Sequence, residues 1–241
     1  MEVLRVTIWL YAQALERAWQ AVRKNLIVGF APLAYGLALS LVGLLVLPFG
    51  IVGGLVLGLA TQACISSGLH LIKNIVDTGR ADWDDFVRGF TVYIWELITI
   101  SFILWIPMRL AAMALAAVPN GGLIYLCIQI ALYILLNPVP EFIYQTRVTG
   151  LELLSASYNF IVENWAEWLI PNVLLALAGY VLLEAWGSLL FGLPRFVQLF
   201  LYAFAVGIGL TIIMAFRGFL FVELHGTTRR SRIYRYKARA N

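Results

Sequence analysis

Residues 25–72 read NLIVGFAPLAYGLALSLVGLLVLPFGIVGGLVLGLATQACISSGLHLI, and between Lys24 and Lys73 the chain carries no charged residue, only His70. A helix needs about 20 apolar residues to cross about 30 Å of hydrocarbon. The stretch therefore has room for two crossings, hinged at LPFG around Pro48. In lipid every backbone N–H and C=O must be satisfied within the element, which a helix does and an open strand does not. The stretch is read as a transmembrane helical hairpin.

The same logic extends to the whole chain. Of its 241 residues 62% are hydrophobic and 12% charged, with a mean hydropathy of +0.87; soluble domains carry about 25% charged residues. Six crossings are predicted, at 26–47, 51–72, 94–117, 122–144, 169–191 and 197–221. They pair into three hairpins through short turns at Pro48, Pro119 (VPNGG) and Pro194 (GLPR). The fourth is interrupted by NPVPEF, where Pro138 and Pro140 remove backbone donors and predict a break. The fold class is all-α: a single polytopic domain over 1–241, with an interfacial helix at 1–24, a bundle at 25–225 and a basic tail at 226–241.

Topology follows from the basic residues. With a cytoplasmic N-terminus, that side holds Arg5, Arg17, Arg23, Lys24, Lys73, Arg80, Arg88, Arg147, Arg217 and the tail, while the opposite side holds only Arg195. Both termini are expected in the cytoplasm of a bacterial cell, with the chain in its inner membrane. The tail residues Arg229, Arg230, Arg232, Arg235, Lys237 and Arg239 are candidate contacts for anionic lipid headgroups or a partner. Lipid is expected there ahead of nucleic acid. No cleaved signal peptide is expected, because Glu2 occupies the place of a basic n-region and charges recur at Arg5, Glu16 and Arg17.

Residues 2–24 have the period of an amphipathic helix, with Leu4, Ile8, Tyr11, Leu15, Trp19 and Val22 as its apolar stripe. Counted back from the three turn prolines, Ala12, Leu15, Trp19 and Val22 match Trp83, Phe86, Phe90 and Tyr93, and then Tyr158, Ile161, Trp165 and Trp168. This predicts three repeats of an interfacial helix feeding a hairpin. In the second, ADWDDFVRGF (81–90), Asp82 reads as an N-cap, Asp84 and Asp85 as first-turn charges, and Asp84–Arg88 as an i, i+4 pair. A metal site there has no histidine or further acid at ligand spacing beside it.

Ionisable groups inside crossings are the leads for chemistry. Arg109 and Glu184 each stand ten residues before a turn proline and Gln129 ten residues after one, so the three are expected to share a layer near the midplane. Arg109 and Glu184 are expected to form a buried ion pair; a substrate or proton site is the alternative. Gly50, Gly54 and Gly58 form small-xxx-small steps, expected to pack on the first crossing at Gly36 and Ser40, with a homodimer contact as the alternative. Cys64 and Cys127 fall in apolar segments and read as packing residues, and His70 and His225 as interfacial ones. No P-loop, HExxH, GxSxG or CxxC is present. No cofactor or metal is expected.

The segments ALERAWQAVRKNLIVGF, SSGLHLIKNIVDTGRADWDDFVRGF, SASYNFIVENWAEWLIP and FRGFLFVEL give the chain a layout that resembles a group of bacterial six-helix membrane proteins. These include the membrane domain attached to some glycerophosphodiester phosphodiesterases and the YciC-like proteins. The hydrolytic residues of the fused relatives lie in a soluble domain that this sequence does not contain, so the resemblance implies a membrane module and transfers no active site.

Three function classes follow. The first is a non-enzymatic subunit or scaffold that binds a protein partner or a second copy of itself, given minimal external turns and an aromatic, charged cytoplasmic side. The second is a transporter or lipid-handling protein using Arg109, Glu184 and Gln129. The third is an enzyme acting on lipid, for which no motif speaks.

Overall fold

The backbone of residues 2–240 and the side chains of residues 5–238 are described by a computed structural model. Glu2, Leu4 and Arg239, named above, therefore lie outside the described side chains. Among the described residues the chain is helical throughout: α1 (Glu2–Lys24), a 3-10 segment (Leu26–Phe30), α2 (Ala31–Val46), α3 (Gly50–Thr78), α4 (Trp83–Val92), α5 (Ile94–Leu115), α6 (Gly121–Leu135), α7 (Val139–Gln145), α8 (Gly150–Leu189), α9 (Arg195–Leu224) and α10 (Arg229–Ala240). Five segments are long and apolar enough to cross a membrane: Leu26–Thr78, Ile94–Leu115, Gly121–Gln145, Gly150–Leu189 and Arg195–Leu224. The first holds two helices, α2 and α3, folded back at Leu47–Phe49. By helix length and hydropathy the chain is a multi-pass membrane protein.

Three sharp breaks in the helices organise it, and each has a side chain in its ladder. Asn25 (φ −126°, ψ 38°), Tyr93 (φ −117°, ψ 11°) and Asn164 (φ −127°, ψ 21°) leave helical geometry. In each case a side chain takes the carbonyl four residues earlier. Asn25 Nδ2 donates to the Ala21 carbonyl at 2.7 Å, and Asn164 Nδ2 to that of Phe160 at 3.3 Å. At the middle break the Ser66 hydroxyl of α3 donates to the Gly89 carbonyl (2.6 Å) and accepts the Tyr93 N–H (2.8 Å). It thus stands between two groups that an unbroken helix would join directly. Insertion into the i→i−4 ladder is a recognised cause of a kink.

The expected three-unit plan, an interfacial helix leading into a hairpin, is visible in these breaks, but in another register. The breaks align Asn25, Tyr93 and Asn164, whereas counting from the turn prolines aligned Val22, Tyr93 and Trp168. The match extends further in the outer units. Ala14, Ala18, Ala21 and Val22 are buried before Asn25 at the spacing of Leu153, Ser157, Phe160 and Ile161 before Asn164, and Pro32 and Pro171 follow at equal distances. Packing fixes the breaks. The turns lie among exposed residues and are free to differ in length.

The packed core sits at one end of the bundle, where α1, α4, α7, the first half of α8 and the last halves of α3 and α9 converge. Its centre is Ile75, Tyr144, Leu153, Trp168, Phe216, Leu220 and Phe221, all fully buried. The halves nearer the proline turns expose most of their side chains, including Leu44, Leu45, Ile51, Met113, Leu123 and Leu189. Lipid tails cover such residues as well as protein does, so apolar burial drives packing only where water would otherwise reach.

Close approach in the core uses glycine. A Cβ on Gly207 of α9 would collide with the Gly29 carbonyl, and one on Gly89 would lie 2.8 Å from Ser67 Cα. The expected Gly50, Gly54 and Gly58 contact with α2 is absent: Gly36, Gly54 and Gly58 all face open space. The predicted stripe of α1 is divided, with Val22 buried. Val6, Leu10, Ala14, Ala18 and Ala21 face the protein, while Ile8, Leu15 and Trp19 of the predicted stripe are exposed. Small side chains let α1 lie close along α9. The break predicted from Pro138 and Pro140 is present between α6 and α7.

Candidate functional site

The described polar interior lies at the packed end, and its centre is Glu141. Pro138 and Pro140 end α6 and start α7, which turns the Glu141 carboxylate inward at 0% exposure. Arg217 of α9 meets it with two bonds, Nε to Oε1 at 2.7 Å and Nη2 to Oε2 at 2.8 Å. The same Nη2 donates to the Asn137 carbonyl at 2.7 Å, and the guanidinium lies 5.2 Å from the Trp168 ring centroid. Trp168 Nε1 donates in turn to Asn137 Oδ1 at 2.9 Å. Helix breaking at NPVP frees the Asn137 carbonyl, the fork of Arg217 fills it, and a charge-paired cluster results.

Around this centre runs a set of ties between α10 and the rest. Arg229 grips Glu167 with Nε to Oε1 at 2.7 Å and Nη2 to Oε2 at 3.1 Å. Arg232, at 4% exposure, donates to Asn164 Oδ1 at 3.1 Å, so the amide that caps the α8 break also holds the tail. Glu223 accepts from both Arg17 (3.3 Å) and Arg235 (3.1 Å). The Trp9 and Tyr236 rings meet edge to face at 5.6 Å. Burial pushes Arg232 below its ordinary value, opposed by nearby Glu167, and burial with the same carboxylate pushes the Tyr11 phenol up to about 12. Beyond α9, burial lowers His225, whose ring stacks on Phe221 at 4.9 Å.

The tail cations also have partners within the chain. Arg229, Arg232 and Arg235 turn to Glu167, Asn164 and Glu223, and Lys237 is also engaged, while Arg230 is exposed. Three acceptors on α8 and α9 hold these cations, and the Arg229 and Arg235 side chains stay 56% and 44% exposed.

The predicted midplane site does not assemble. Arg109, Gln129 and Glu184 are each exposed, and among the described residues no ion pair joins Arg109 to Glu184. Equal depth places them in one layer, but each side chain points outward. The interior pair is Glu141–Arg217 instead. Its signal was present in the sequence, since Glu141 is the one acid within 122–144 and Arg217 the one charge within 197–221.

The acidic stretch caps α4. The Asp82 side chain pairs with the Asp85 backbone, and Asp85 Oδ2 accepts the Asp82 N–H at 2.9 Å, a reciprocal capping box. Arg88 reaches Asp84 at 3.4 Å with both side chains exposed. Among the described residues no group of three or more histidines, cysteines or acids could hold a metal. Cys64 and Cys127 are both free thiols, the first buried and the second exposed.

Two apolar clefts open between the helices. One, of about 490 Å³, lies between α2, α3 and α9 and is lined by Tyr35, Leu39, Ile65 and Met214; the Tyr35 hydroxyl at its edge donates to Ser67 at 2.9 Å. The other, of about 620 Å³, lies between α8 and α9 beside Tyr180, Trp186 and Phe204. Compared with protein-family models, with curated proteins and with solved structures, the chain matches none.

Proposed function

We propose that the protein is a non-enzymatic inner-membrane subunit or scaffold that binds a protein partner within the bilayer. It crosses six times with both termini in the cytoplasm, and Leu26–Thr78 supplies the first two crossings. The observation that carries this reading is the distribution of charge. Inside the packed end Glu141, Glu167 and Glu223 each have an arginine partner, whereas Arg109 and Glu184 stand exposed on apolar hairpins. These three carboxylates are each held by an arginine and so are not free for general base work, which favours a non-enzymatic role. Charge left on a lipid-facing helix favours a partner that covers it. The layout likeness to the six-helix membrane modules named above agrees with a subunit of a larger assembly.

A photo-crosslinking residue at Trp105 or Leu126, both exposed on the second hairpin, tests this in native membranes. Discrete protein adducts are expected at both positions; adducts with lipid alone would overturn the reading.

A second reading, lipid handling, is favoured by the cleft of about 490 Å³, whose apolar walls and hydroxyl edge suit an acyl chain. It predicts lipid adducts from Leu39 and transfer of lipid between vesicles.

A further inference from the structure

Arg109 and Glu184 are opposite charges at nearly the same depth on one surface-exposed layer. Arg109 lies six residues before the end of α5 at Leu115 and Glu184 five before the end of α8 at Leu189. At 1.5 Å per residue these offsets are about 9 Å and about 7.5 Å from the turn-side helix ends. Both side chains are exposed, and among the described residues neither takes part in an ion pair. Their surroundings are large and apolar: Trp105, Leu110 and Met113 on α5, Tyr180 and Trp186 on α8. A lone charge against hydrocarbon is costly, and an opposite charge that meets it there offsets part of the cost.

One chain thus carries both halves of a self-complementary contact. In a two-fold arrangement Arg109 of each copy faces Glu184 of the other, so a single contact forms twice and leaves neither charge over. Shape agrees with charge. Glu184 stands one helical turn beyond Tyr180, which lines the open cleft of about 620 Å³ between α8 and α9.

We propose that two copies of the chain associate in the membrane through reciprocal Arg109–Glu184 ion pairs, α5 of each copy lying beside the α8–α9 cleft of the other. The proposal rests on the partner-binding reading and names the partner as a second copy.

The test uses full-length protein labelled at a single site, in phosphatidylethanolamine–phosphatidylglycerol liposomes, with single-molecule photobleaching as the readout. Wild type is expected to bleach mainly in two steps. Arg109→Glu alone and Glu184→Arg alone each set like charges opposite, and each is expected to weaken association by at least about tenfold. Mixed in two colours, these two variants are complementary at both contacts, and two-colour pairs are expected to return. Only a pair formed between copies gives that result.

Thermal unfolding in detergent identifies any variant that fails to fold, and Arg109→Gln with Glu184→Gln then serves as the milder pair, each expected to lower the two-step fraction. Single-step bleaching of wild type overturns the proposal. So does full two-step bleaching in a folded Arg109→Gln protein, the outcome if that side chain reaches lipid headgroups instead. A monomeric wild type whose Trp105 crosslinks to a different polypeptide refutes self-association and keeps the partner-binding reading. A monomeric wild type that crosslinks to lipid alone refutes both.

Discussion

Removing one member of the Glu141–Arg217 pair is expected to cost far more than removing both. Glu141 is fully enclosed, and both of its oxygens are taken by Arg217 at 2.7 and 2.8 Å. Arg217→Met leaves a buried carboxylate with no counter-charge and empties the Asn137 carbonyl, which now receives a 2.7 Å bond. Breaking such a pair from one side costs about 3–5 kcal/mol, while replacing both members with apolar residues of similar volume is about neutral or stabilising. Glu141→Leu strands the guanidinium, although the 5.2 Å contact with Trp168 keeps a fraction of its stabilisation, so its cost should fall at the lower end of that range. The double variant loses only the Asn137 bond and some packing. The coupling between the two sites is then several kcal/mol, well outside the ~0.5 kcal/mol within which independent sites add. Equilibrium unfolding in mixed detergent micelles of wild type, both single variants and the double variant measures it. Additive single effects would refute the argument that this pair is the hub of the packed end.

Four further outcomes are expected. Gly207→Ala drives a Cβ into the Gly29 carbonyl and should cost at least about 1–3 kcal/mol in the same unfolding assay. Gly54→Ala and Gly58→Ala face open space and should be neutral or stabilising by up to about 1 kcal/mol, since alanine is the better helix former. Asp82→Asn should be nearly silent and Asp82→Ala should cost about 0.5–2 kcal/mol, read by thermal unfolding, because asparagine caps α4 as well as aspartate does. Burial lowers His225 in the folded state from its ordinary 6.5, so the unfolded chain takes up its proton first as pH falls. Stability from this residue is then fully present above about pH 6.5 and declines below it. The melting temperature of His225→Phe should fall less than that of wild type between neutral and mildly acid pH, and equal slopes would contradict the assignment.

Periodicity and turn chemistry made the membrane class, the proline turns, the α6–α7 break and the Asp82 cap readable from residues alone, because each depends on neighbours within a few positions. The boundary at Tyr93 is legible as the start of the crossing at 94, but the Ser66 hydroxyl that holds the break is distant in sequence and is not. Arg109 and Glu184 were matched by depth, yet depth fixes only one of three coordinates, and lateral position depends on how far the hairpins separate. Glu141 and Arg217 escaped notice for a related reason. They lie near the ends of their spans, where a charge is ordinarily solvated, and only the convergence of α7, α8 and α9 encloses them. The ion pairs of the tail arginines are not legible in the sequence because their acceptors, Glu167 and Glu223, sit on other helices.

The six-crossing arrangement, on which the depth of Arg109 and Glu184 and the sidedness of α10 both depend, is tested most directly by cysteine accessibility. In a chain whose two cysteines, Cys64 and Cys127, have been replaced, single cysteines at Asn120 in the second hairpin turn and at Ser231 in α10 are probed in sealed, oriented vesicles with a membrane-impermeant maleimide. The account predicts that Asn120 labels from the external side only and Ser231 from the cytoplasmic side only. Labelling of both positions from the same side would contradict it.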